Sequence, residues 1–99
     1  MSLLTDILTR LRAHEVELRA RGVVHVAVFG SVVRAENLAD SDVDLFVDLT
    51  PEIAADFLAY AGIAADLEEI VGQNVDVARH DHLRPHVRPS AEAQAVYAF

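Results

Sequence analysis

Two short motifs within residues 30–44 carry the clearest chemical pattern in the chain: Gly30-Ser31 and, with ten residues between, Asp42-Val43-Asp44. A Gly-Ser pair directly after an apolar run predicts a tight turn with free backbone N–H groups, where phosphate oxygens can sit. An Asp-x-Asp at the start of the next strand puts both carboxylates on one face, because side chains alternate along a strand. A phosphate cradle beside a site for a hard cation suits metal-assisted transfer of a nucleotidyl group.

The surrounding sequence supplies the elements that must position these residues. Leu4, Ile7, Leu8, Leu11 and Leu18 recur at helical spacing and predict a helix over 3–21, ended by Gly22. Residues 23–29 are apolar and rich in valine, which predicts a strand buried on both faces, with His25 a core or partner-facing histidine. Residues 31–36 suit a short helical turn and 37–41 a loop. Val43, Leu45, Val47 and Leu49 then alternate with Asp44, Phe46 and Asp48, giving a second strand on which Asp48 reads as an exposed charge. Thr50 as N-cap and Pro51 at the first helical position open a helix to about residue 71, and Gly72 ends it. A third strand is expected over 74–78. After the polar segment 79–89, a short helix near Ser90 is expected to dock Ala91, Ala95, Val96 and Phe99 on the core. The order predicts an α/β (α+β) fold, a small mixed sheet of about three strands with helices on one face, with residues 1–99 as one domain.

The chain has 99 residues, a formal net charge of −8 and 53% apolar residues. All eight of its basic residues are arginine, so no lysine can serve in catalysis. This balance argues against a nucleic-acid partner, which needs cations against phosphates, and is compatible with a basic protein partner. The absence of cysteine excludes disulfides, thiolate metal sites and thiol nucleophiles. The N-terminal residues lack the pattern of a signal peptide and no run approaches the roughly 20 apolar residues of a membrane span, so the expected setting is cytoplasmic.

These motifs together resemble the nucleotidyltransferase superfamily with the DNA polymerase β-type palm. The matching residues are Phe29-Gly30-Ser31, Asp42 and Asp44 flanked by Val43 and Leu45, and a third acidic residue in Val75-Asp76-Val77. Arg34 completes a Gly-Ser-x-x-Arg form, and Leu83-Arg84-Pro85 follows the third strand. Across nearly the whole chain the pattern is similar to the MNT group of minimal nucleotidyltransferases. In two places the chain departs from it: Ala35 stands where glycine is common, and Val32 where a polar or basic residue is frequent. The resemblance implies an antitoxin that transfers AMP from ATP to a tyrosine of a HEPN ribonuclease toxin.

It also implies a division of labour. Asp42, Asp44 and Asp76 would be catalytic and hold Mg²⁺, with two ions suited to displacement at the α-phosphate. Asp76 would also take or orient the proton of the attacking tyrosine. Gly30, Ser31, Arg34 and Ser41 would bind the nucleotide, Ser31 through β- and γ-phosphate oxygens and Arg34 through the departing pyrophosphate. Two other readings remain: a catalytically silent antitoxin that acts by binding, and a small-molecule nucleotidyltransferase. His80, His82 and His86 have a zinc-like look, but the segment is broken by proline and shows no fourth ligand.

Overall fold

The computed structural model describes residues 2–37 and 41–99. The stretch expected as one helix over 3–21 is two, α1 (Leu3–Ala13) and α2 (Glu15–Ala20). His14 makes the break. Its ring N–H donates to the Arg10 carbonyl at 2.9 Å, the acceptor its own backbone N–H would use in an unbroken helix. That backbone N–H turns to Leu11 instead.

β1 (Val23–Phe29) runs into a 3₁₀ turn at Gly30–Val32, and β2 (Val43–Leu49) returns antiparallel to it. The helix expected over 51–71 is also two, α3 (Pro51–Ala54) and α4 (Phe57–Val71). Asp56 divides them: it takes an extended backbone conformation, and its carboxylate accepts from the Ala59 N–H at 3.0 Å to cap α4. Thr50 occupies the N-cap of α3, but its side chain makes no capping bond.

β3 (Val75–Arg79) lies parallel to β2, followed by a 3₁₀ turn at His80–His82 and α5 (Arg88–Gln94). α5 begins two residues before the expected Ser90, with Pro89 in its first turn, where its missing N–H costs nothing. Val96–Tyr97 is not helical; it forms β4, antiparallel to β1. The sheet therefore has four strands, in the order β3-β2-β1-β4, where about three were expected.

The two faces of the sheet differ in a way that isolates the site. On one, Ile7, Leu11, Leu18, Ile63 and Leu67 of α1, α2 and α4 bury Val26, Val28, Val43, Leu45 and Val47. Each such side chain contributes about 1.5–3 kcal/mol on burial, so this face holds most of the apolar stabilisation. The other face carries a smaller cluster in which Ala91 of α5 covers Ala27 and Phe46. Asp44, Phe46 and Asp48 share that second face, as the alternation in β2 requires. His25 also points there and is exposed, contrary to a core position: its ring N–H reaches the Phe99 carbonyl at 3.3 Å, and Tyr97 meets it edge-on. Among the described residues, no helix is long and apolar enough to cross a membrane.

Candidate active site

Three backbone segments converge at the second face. The register pairs Phe29 of β1 with Asp44, and Asp44 with Asp76 of β3. Asp44 therefore sits between the end of β1 and the third acidic residue. It is half-buried, whereas Asp42 and Asp76 are exposed.

Gly30 is buried directly against this carboxylate. A Cβ on Gly30 would lie 2.3 Å from Asp44 Oδ2 and 3.1 Å from its Cγ. Its φ of +77° is a second reason for glycine, since other residues are strained there. The glycine thus makes the turn and admits the carboxylate to it.

Burial pushes the Asp44 carboxyl above its ordinary value, and the charges of Asp76 and then Asp42 push it further. Arg34 opposes them. Three carboxylates and one guanidinium therefore act on one another across this site. A half-buried carboxylate beside like charges is relieved by a proton or by a cation, and oxygen-only donors suit a hard divalent ion. The donor set thus fits Mg²⁺ in kind. Among the described residues no three side chains are arranged to enclose an ion by themselves.

Two cavities adjoin Asp44 and share Phe29, His86 and Val87 as walls. One, of about 330 Å³, also contacts Gly30, Arg34, Ser90 and Gln94. The other, of about 420 Å³, lies on the Asp76 side against His82 and Arg84. A larger cavity of about 460 Å³ lies elsewhere, beside Arg10, His14, Glu17 and Asp66, away from the three carboxylates. Chemistry, not volume, therefore marks the candidate site.

The remaining expected residues fall as follows. Arg34 Nε donates to Glu36 at 3.0 Å and its Nη1 donates to Gln94 Oε1 at 2.9 Å, so α5 helps to aim the guanidinium. Ser31 lies in the 3₁₀ turn, where the first N–H groups have no intrahelical partner, but its side chain lines neither cavity. Ser41 precedes Asp42, is half-buried and has an interaction of its own; it too lines neither cavity. Ala35 takes φ +58°.

Asp48 is not the free charge expected of it. It accepts from the Nδ1–H of His80 at 2.8 Å. The residues missed by sequence reasoning are the walls His82, Arg84, His86, Val87, Ser90 and Gln94, contributed by the segment after β3 and by α5. One signal could have pointed to them: Arg84 and Arg88, with His80, His82 and His86 and the single acid Asp81, make residues 80–88 locally basic in an acidic chain.

A family model described as Nucleotidyltransferase domain matches residues 11–98. The protein adenylyltransferase MntA of Thermococcus cleftensis is 37% identical over 98 residues, covering 98% of this chain and 97% of that protein. A solved minimal nucleotidyltransferase superposes with a TM-score of 0.74 at 35% identity, covering 97% of this chain and 95% of the other. A chain from a crystal structure of a toxin–antitoxin with AMP-PNP shares the fold, with a TM-score of 0.69 at 17% identity over 91% of this chain and 72% of that one.

Proposed function

The chain belongs to the nucleotidyltransferase-domain family, and from that membership we propose that it transfers AMP from ATP to a tyrosine of a HEPN-type ribonuclease toxin, acting in the cytoplasm as that toxin's antitoxin. The observation that carries the reading is the placement of Asp44, between a glycine turn with which no side chain would fit and a second carboxylate on the neighbouring strand. Similarity to a protein named for adenylyl transfer to proteins supports the substrate class. The net charge of −8 suits a basic partner.

In this reading the cavity beside Gly30 and Arg34 receives the triphosphate, with the backbone N–H groups of Gly30 and Ser31 offered to β- and γ-phosphate oxygens; Ser41 would contribute only from outside the walls of that cavity. Arg34, aimed by Gln94, offsets the charge that develops on the leaving pyrophosphate. The cavity on the Asp76 side receives the acceptor tyrosine. Its phenolic oxygen attacks the α-phosphorus; a P–O bond forms and the bond to the β-phosphate oxygen breaks. The phenolic proton passes to Asp76, and the electron pair of the broken bond leaves with pyrophosphate. Mg²⁺ held by Asp42, Asp44 and Asp76 would supply Lewis-acid stabilisation of the phosphate charge.

An Asp44→Asn variant tests this against an antitoxin that acts by binding alone. The proposal requires the variant to bind the toxin yet fail to label it from α-³²P-ATP and fail to silence it. A variant that silences the toxin as well as the parent does would favour the binding-only reading.

A further inference from the structure

The segment between β3 and α5 carries a histidine that the reaction above does not use. The His80 side chain is 15% exposed and lies against Phe46, with ring centroids 4.3 Å apart and 26° between planes. Its Nδ1 faces Asp48 Oδ1 at 2.8 Å and its Nε2 faces Glu92 Oε2 at 2.7 Å. Asp48 belongs to β2, which carries Asp44. Glu92 belongs to α5, which carries Ser90, Ala91 and Gln94 into the cavity wall. One ring thus joins the sheet to the helix that closes the site.

A neutral imidazole has a single N–H and satisfies one carboxylate, whereas the protonated ring has two and satisfies both. The other groups facing this pair are Arg88, 3.4 Å from the same Glu92 oxygen, and Tyr97 of β4, edge-on to Phe46. Arg79 and Asp81, next to His80 in the chain, pair with each other. A helix of seven residues has little stability of its own. Apart from the packing of Ala91 and the backbone bond from Arg88 to the Arg84 carbonyl at its start, the side-chain ties from α5 to the sheet side of the site are His80–Glu92 and Arg34–Gln94.

We propose that His80 is a positioning residue for nucleotide binding: its protonated ring clamps α5 to β2 and so fixes the Arg34–Gln94 wall relative to Asp44. The inference rests on the nucleotide reading above. Its test uses Glu92→Ala and Glu92→Gln, changes at an exposed carboxylate that leave the Phe46 stack in place. Affinity for Mg²⁺–AMP-PNP is measured by calorimetry from about pH 5 to pH 8, the range in which histidine changes charge. Hydrogen exchange of the α5 amides is followed in parallel.

Across that range the parent should lose affinity roughly fivefold to tenfold as the second link is lost. Glu92→Ala should bind that much more weakly than the parent at pH 5 and equal it at pH 8, the clamp contributing no slope of its own. Glu92→Gln should stay near the acid value of the parent throughout, because its amide donates to the deprotonated Nε2. Exchange in α5 should follow the same order. Glu92→Ala with the affinity and slope of the parent, or with α5 amides exchanging no faster, overturns the clamp. A parent chain that binds no nucleotide at any pH contradicts the nucleotide reading instead, and the clamp is then decided by exchange alone.

Discussion

Substitution of Gly30 by alanine would separate what the backbone needs from what the chemistry needs. At φ +77° an alanine takes on left-handed strain of about 1–2 kcal/mol, partly offset by about 0.4–1 kcal/mol from a stiffer unfolded chain. The net loss of about 1 kcal/mol corresponds to a Tm lower by about 4–8 °C in a domain of this size. The new methyl group has a second effect. It would stand 2.3 Å from Asp44 Oδ2, so the carboxylate must withdraw by about 1 Å to reach ordinary contact distance. Misplacing a reacting group by that much costs roughly a hundredfold in rate.

Gly72→Ala is the control. Its φ is +80°, and its Cβ would meet only the flexible end of Arg10, at 3.4 Å. Both variants should therefore melt several degrees early by scanning calorimetry, while only Gly30→Ala loses adenylyl transfer, assayed well below both transitions. If Gly30→Ala kept its rate to within about twofold, or if Gly72→Ala lost as much activity, the contact with Asp44 would not be what the glycine is for.

Three further outcomes follow from other positions. Ala35→Gly should raise Tm by a few degrees, since Ala35 holds φ +58° and loses about 1–2 kcal/mol of strain against about 0.5–1 kcal/mol of added chain entropy; a lower Tm would contradict the strain. Asp44→Asn should melt higher than the parent at neutral pH. Burial and like charge raise the folded carboxyl above its unfolded value, so the parent loses stability as pH rises through that interval and does not regain it. The gap between variant and parent should close below the ordinary carboxylate value of 3.8, and added Mg²⁺ should raise Tm in the parent alone; equal melting at neutral pH, or equal response to Mg²⁺, would refute this. Removing the α4 cap with Asp56→Ala should cost about 1 kcal/mol in a urea titration with an unchanged slope, and no loss would mean that the helix starts without it.

What could be read from the sequence had local causes. The period of two in Val43–Leu49 placed Asp44, Phe46 and Asp48 on one face, and Gly30 marked the turn because a run of apolar residues stopped at it. The breaks at His14 and Asp56 were hidden because each depends on one side chain competing for a backbone group inside an otherwise periodic stretch. β4 is two residues long, too short for any periodicity, and exists only because β1 offers it a free edge. The walls of the site lie on a segment that has no period at all. Where His80 points is decided by Asp48 and Glu92, which are 32 residues before it and 12 after it in the chain.

The central claim is tested most directly by the intact mass of a candidate HEPN-type partner protein, after incubation with the chain and Mg²⁺–ATP. The account predicts a gain of one or more AMP groups on that protein, located on tyrosine, and none when Asp42 and Asp44 are both changed to asparagine. An unmodified toxin that is nevertheless bound and inhibited in both samples would contradict it.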